Sequence, residues 1–169
     1  MHSEDKSVRI WDLRGNGRAV KHISGVFTGE DVATLAFHPA NPHRLFAASG
    51  DTIVELDLRR PDVLLRDAAA TWGGMCSDDV AHIVMDSSGD FLVAADDAGV
   101  LTVVDVAEAL AVQTIAAHES LAACVAFADT GELVSGGYDA TVRIAYVHVW
   151  WSPPSLPALL THTLLQRRQ

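Results

Sequence analysis

A chain of 169 residues, 49% of them apolar, is long enough to bury one good core, so a single folded unit is expected. Its formal charge of −10, with 12 basic residues scattered among 22 acidic ones, argues against a nucleic-acid binder, which needs clustered Lys and Arg against phosphate. Cys76 and Cys124 lack CxxC spacing and point to neither a zinc site nor a disulfide framework, no apolar run reaches the length of a bilayer span, and the acidic start Met1-His2-Ser3-Glu4-Asp5 is no signal peptide.

One phrase organises the chain. Asp5-Lys6-Ser7-Val8-Arg9-Ile10-Trp11-Asp12-Leu13-Arg14 is echoed by Asp51-Thr52-Ile53-Val54-Glu55-Leu56-Asp57-Leu58-Arg59, then by Asp96-Asp97-Ala98-Gly99-Val100-Leu101-Thr102-Val103-Val104-Asp105, then by Asp139-Ala140-Thr141-Val142-Arg143-Ile144. Phe37, Met85 and Phe127 close three matching apolar runs, 48 and 42 residues apart. Repetition at about 40–45 residues, built from short strands and ending in Trp-Asp, predicts a β-propeller of WD repeats.

In chain order, the first copy enters at the turn before its third strand, predicted over 7–13. The second predicts an inner strand over 32–37, apolar as for a strand packed on both faces, with a His38-Pro39-Ala40-Asn41-Pro42 turn. Strands over 45–49 and 53–58 follow, then an outer strand starting at 63–65 and a loose connection over 67–74. The third copy predicts strands over 80–85, 91–95, 100–106 and 112–116. A helix over 105–117 is the alternative for its last part, because Ala107-Glu108-Ala109-Leu110-Ala111 has high helix propensity. The fourth predicts strands over 122–127, 132–135 and 141–144, with Cys124 buried beside Phe127.

The repeat then lapses. Ala145-Tyr146 stands where Trp-Asp is expected, and Trp150-Trp151-Ser152-Pro153-Pro154 abandons the pattern. Residues 156–169, with leucines at helical spacing, predict a short helix. The expected organisation is an all-β, incomplete propeller over 1–147 (partial blade 1–25, then blades about 26–70, 75–116 and 117–147) and a non-repeat tail over 148–169. About three and a half four-stranded antiparallel blades make an open ring, which reads as a fragment or truncated product of a longer propeller, with bare apolar end faces prone to self-association.

Candidate chemistry is sparse. His118, Ser135 and Asp139 could be read as a hydrolase triad, but they also fit a structural network in which a turn Asp, a His, a Ser and a third-strand Trp are linked. Ala145 fills the Trp position of that network. Asp5 and Trp11 have the same Asp-to-Trp spacing in the first copy. The eight histidines are dispersed without HxH or HExxH spacing, so neither a metal nor any other cofactor is expected. Trp11, Asp12 and Arg14, with Asp57 and Arg59, place an Arg two residues after a strand-ending Asp, where a guanidinium could grip a partner carboxylate or simply bridge to its own Asp.

With these residues in view, the chain resembles the WD-repeat superfamily. Segments 29–39, 56–59 and 96–99 are similar to the family of WD repeat-containing protein 53. The Trp-Asp-x-Arg ending resembles that of substrate receptors for cullin-4 ubiquitin ligases, which dock on the damage-specific DNA-binding protein adaptor. Trp11, Asp12 and Arg14 match it in full, Asp57 and Arg59 match with Leu56 in the Trp position, and the third copy lacks the Arg. The resemblance implies a non-catalytic scaffold that binds other proteins; two reduced thiols fit the cytoplasm or nucleus, and the acidic charge and short apolar runs leave no nucleic acid or membrane partner expected. A propeller hydrolase and a product without a function of its own are the other readings.

Overall fold

The structure is a computed structural model that describes residues 5–14, 17–27, 31–59, 72–128 and 131–146. The predicted outer strand at 63–65, most of the connection over 67–74 and the whole tail over 148–169 lie outside these residues.

Twelve strands form four consecutive antiparallel sheets. The first pairs β1 (Val8–Trp11) with β2 (Ala19–Ile23). The second orders β3 (Thr34–Phe37), β4 (Arg44–Ser49) and β5 (Thr52–Asp57). The third has β6 (Val80–Met85), β7 (Phe91–Asp96), β8 (Val100–Asp105) and β9 (Leu110–Ala116). The fourth has β10 (Ala122–Phe127), β11 (Glu132–Gly137) and β12 (Val142–Tyr146). Every sheet is a simple meander, so among the described residues the fold is an open, partial propeller whose third sheet alone shows four strands.

The segment 105–117 is not helical. Asp105 accepts the backbone N–H groups of Ala107 and Glu108, which makes a turn, and Ala109 is left-handed at φ 53°. The chain then pairs along β8 with alternating exposure. A continuous ladder of backbone bonds overrides the local propensity of the alanines.

Apolar seams join the sheets. Val8 and Ile23 meet Leu45, Ala47, Val54 and Leu56 between the first and second sheets. Phe46, Ala48 and Ile53 meet Ile83, Leu92 and Ala94 between the second and third. Val93, Ala95, Leu101 and Val103 meet Ala122, Val125 and Leu133 between the third and fourth. Trp72, expected in a loose connection, instead bridges Ile53 through paired backbone bonds and is buried, with its ring 5.4 Å from that of Phe46. Its large apolar ring is worth more inside this seam than in water.

Two corrections concern exposure. Leu35 and Phe37 on β3 are exposed rather than packed on both faces, and Cys124 is exposed rather than buried. Leu35 and Phe37, with Met85 and Phe127, line an open cleft of about 630 Å3 at the ends of the inner strands.

Polar ties repeat between the inner strands, which lie β3 against β6 and β6 against β10. The Ile83 N–H on β6 donates to Thr34 Oγ1 on β3 at 3.3 Å, and the Val125 N–H on β10 donates to His82 Nδ1 on β6 at 3.4 Å. Thr34 and His82 hold the same place, three residues before Phe37 and Met85. Farther out, the Gly99 carbonyl accepts the N–H groups of Ala117 and His118, at 3.0 and 2.9 Å. Gly99 has φ +79°, and a Cβ there would run into the carbonyl oxygens of His118 and Ser120. Gly99→Ala should therefore destabilise the chain by about 1–3 kcal/mol, read as a lower urea midpoint; an unchanged midpoint would show that this junction is not held closely.

Candidate interaction site

The last repeat brings three of its predicted residues together. His118 lies just ahead of β10, Ser135 on β11 and Asp139 in the turn before β12. His118 Nδ1 is 3.0 and 3.1 Å from the Asp139 carboxylate oxygens, and Nε2 is 2.9 Å from Ser135 Oγ. A carboxylate can only accept, so Nδ1 donates to Asp139, and Nε2 shares a hydrogen bond with the Ser135 hydroxyl. The ring has room because residue 137 is glycine, where a Cβ would strike the imidazole.

Asp139 does more than orient a histidine. It accepts from the Thr141 hydroxyl at 2.7 Å, the Thr141 N–H at 3.0 Å and the Glu119 N–H at 3.2 Å. These bonds, led by the Thr141 hydroxyl, hold its carboxyl well below the usual carboxylate range despite an opposing effect of burial. Sequence reasoning missed Thr141, although the signal was present. Asp5 binds the Ser7 N–H at 3.1 Å and the Ser7 hydroxyl at 2.6 Å in the same way. In both copies the intervening residue is left-handed, Lys6 at φ 56° and Ala140 at φ 59°. Asp-x-Ser/Thr is thus the device that turns the chain into the third strand of the first and last repeats.

Serine, imidazole and carboxylate stand at triad spacing, yet the His118 side chain is 0% exposed and Ser135 is buried. A substrate carbonyl cannot reach that hydroxyl without opening the sheet, so the arrangement works as a fully satisfied buried network. In the first repeat Trp11 does not close such a network. It stands 52% exposed and pairs with Ala19 at the strand end, while Asp5 engages Ser7 and, at 2.5 Å, Arg9. An indole half in water has not exchanged its solvent for the buried seam that the network requires.

The strand-ending aspartates share one job. Asp12, Asp57 and Asp105 each accept the backbone N–H two residues on, from Arg14, Arg59 and Ala107, all at 2.9 Å. The carboxylate is spent on the turn whether or not an Arg follows. Where it does, the Arg folds back. Arg59 lies 2.7 Å from Asp57, whose carboxyl it pulls down to about 2, first through side-chain hydrogen bonding. Arg14 is held loosely by Asp12 at 3.4 Å, with 93% of its side chain exposed. β1 and β5 occupy equivalent places in successive sheets, so both Arg residues emerge on the same rim.

Both thiols are free. Cys76 is buried, and burial, with Asp96 and Asp51 adding to it, pushes its thiol up to about 11. Among the described residues no group of three or more His, Cys, Asp or Glu side chains could hold a metal, and no helix is long and apolar enough to cross a membrane.

Stacked meanders, each with a turn Asp ahead of its third strand, are the architecture of WD-repeat propeller proteins, and the described part of the chain shares it. The model for the WD domain, G-beta repeat, matches residues 110–144. Over 143 residues the chain is 27% identical to the WD repeat-containing protein 53 homolog of Dictyostelium discoideum, a match covering 83% of this chain and 38% of the relative. It is 29% identical over 143 residues to Protein SLOW WALKER 1 of Arabidopsis thaliana, covering 83% of this chain and 24% of that one. The chain therefore spans well under half the length of these curated relatives. A chain in the crystal structure of the mitotic checkpoint complex superposes with a TM-score of 0.66 at 21% identity, over 79% of this chain and 39% of the other. Proteins of this class act as interaction scaffolds and are generally non-catalytic.

Two outcomes check the network. A fluorophosphonate probe should leave native Ser135 unlabelled, and labelling would put catalysis back in question. Asp139→Asn should lower the urea midpoint at neutral pH. Because the folded carboxyl sits below its unfolded value of about 3.8, its contribution is complete above that pH and fades as pH falls through the folded value. The gap between wild type and Asp139→Asn should therefore narrow in acid, and a constant gap would show that the charge of Asp139 is irrelevant.

Proposed function

We propose that the chain is part of a non-catalytic substrate receptor, cytoplasmic or nuclear, that docks on the cullin-4 ligase adaptor through the rim where β1 and β5 end. The observation that carries this reading is the pair of Asp-x-Arg turns repeated at one rim. In each turn the backbone is fixed by the carboxylate and a guanidinium is left at the surface. Arg14 is the better placed, since its fork is almost entirely in solvent and tethered only at Nε. An acidic partner side chain could take it bidentately. Arg59 must first share or leave Asp57, so it makes the smaller contribution. The half-exposed Trp11 beside this turn adds the kind of aromatic surface that interfaces favour.

The burial of Ser135 and His118 counts against the hydrolase alternative, and a chain without a function of its own would show no adaptor binding. The test is co-purification of the intact receptor with the adaptor. Arg14→Ala should weaken binding by about tenfold or more, because it leaves a partner carboxylate unpaired. It should leave stability within about 0.5 kcal/mol, as for other exposed positions. Arg59→Ala should weaken binding less. Wild-type binding by the double variant overturns the docking role of the rim.

A further inference from the structure

The rim where β5 ends carries a basic side chain besides Arg59. Register pairs Arg44 with Asp57, so His43, one residue before β4, stands beside the exit turn Asp57-Leu58-Arg59. Two backbone bonds fix it there. The His43 carbonyl accepts the Leu58 N–H at 2.7 Å, and the His43 N–H donates to Asn41 Oδ1 at 3.1 Å. His43 is exposed, yet near enough to help Arg59, the larger influence, hold the Asp57 carboxyl down.

Arg59 is occupied in this turn. Its Nε lies 3.0 and 3.2 Å from the two Asp57 oxygens, and its Nη2 lies 2.7 Å from one of them. Asp57 is buried, so a guanidinium that turned away to a partner would leave a carboxylate out of water without a counter-cation. The neighbouring basic groups are engaged elsewhere. Arg44 is paired with Glu55 of β5, and His38, at the other end of the same turn, accepts the Ala40 N–H at Nδ1.

The third repeat offers a comparison. Asp90 holds the place of His43 there, since its carbonyl accepts the Val106 N–H at 2.9 Å, and Ala107 holds the place of Arg59. The two positions change together, a histidine where the turn has an arginine and a carboxylate where it has none.

We infer that His43 is a further docking residue, whose protonated ring replaces Arg59 as the counter-cation of Asp57 and frees the guanidinium for an acidic side chain of the partner; this role rests on the docking reading of the rim. Histidine is the side chain that changes charge between about pH 5 and 8, whereas carboxylates on a partner's surface stay ionised across that range. A positive charge at His43 makes Arg59 easier to share and strengthens the positive field of the rim. Asp57 Oδ1 also accepts the Arg59 backbone N–H at 2.9 Å, so the turn keeps its shape while the side chain moves.

Affinity of the intact receptor for the purified adaptor, measured at about pH 8 and about pH 6, tests this. Wild type should bind more tightly at the lower pH. Arg59→Ala should cost less than about twofold at the higher pH and about fivefold or more at the lower one. With His43→Gln in place, the cost of Arg59→Ala should be small at both. His43→Lys, which keeps a charge throughout, should instead make that cost large at both. Arg14→Ala should weaken binding by a similar factor at either pH. An Arg59→Ala cost that ignores pH overturns the role of His43, and so does a pH-dependent cost that survives His43→Gln. In both cases weaker binding by Arg14→Ala still upholds the docking rim. Wild-type binding by the Arg14→Ala, Arg59→Ala pair, or no adaptor binding at all, brings down the docking reading as well.

Discussion

Each sheet here has two faces, and neither is satisfied by the sheet itself. Phe46, Ala48 and Ile53 are removed from water only because Ile83, Leu92 and Ala94 stand opposite them, and each seam makes the same demand of its neighbour. Apolar burial of this kind contributes about 25 cal/mol per Å2, and it accrues only to stacked sheets. The turns, polar networks and glycines serve chiefly to bring each sheet into register with the next. Gly99 illustrates the dependence, since its bare Cα lets the segment that opens the fourth repeat lie directly on the turn that ends β7.

Carboxylates do most of that positioning. One set, Asp5 and Asp139, fixes entry into the third strand by holding a Ser or Thr two residues on. The other, Asp12, Asp57 and Asp105, fixes the exit by capping the N–H two residues on. A chain this acidic is therefore not merely a soluble one. Several of its negative charges are structural acceptors, and the guanidiniums of Arg9 and Arg59 partly neutralise them in place. That leaves Arg14 as the rim cation held most loosely by its own turn, which sets it apart from Arg59 despite the shared spelling.

Strands and turns were largely legible in the sequence because both are local. A turn Asp and an apolar run such as 80–85 or 122–127 mark a strand wherever it is placed. Exposure was not legible, because it depends on whether another sheet stands opposite. Val8 and Val142 carry the same sequence signal and end in opposite environments. Cys124 was misplaced for that reason, and so were Leu35 and Phe37. Trp72 was missed because its partners, Ile53 and Phe46, lie 19 and 26 residues back and no local pattern announces the bridge. The His118 network was visible as spacing. Thr141, its strongest bond to Asp139, would have been found by reading Ser7 and Thr141 as one recurring position.

The recurring acceptor between inner strands has a chemical consequence of its own. The backbone asks only for a lone pair at that place, and threonine and histidine both supply one. They differ in what can take it away. The Thr34 hydroxyl is indifferent to acidity, so the tie it makes is blind to pH. The His82 ring must be unprotonated at Nδ1 to receive Val125, and burial already pushes its pKa below the ordinary histidine range. As acid overcomes that burial, the lone pair is lost and an imidazolium is left in an apolar joint. Successive joints of one repeating architecture thus answer to different solutes, with proton sensitivity written into one joint by a single side chain.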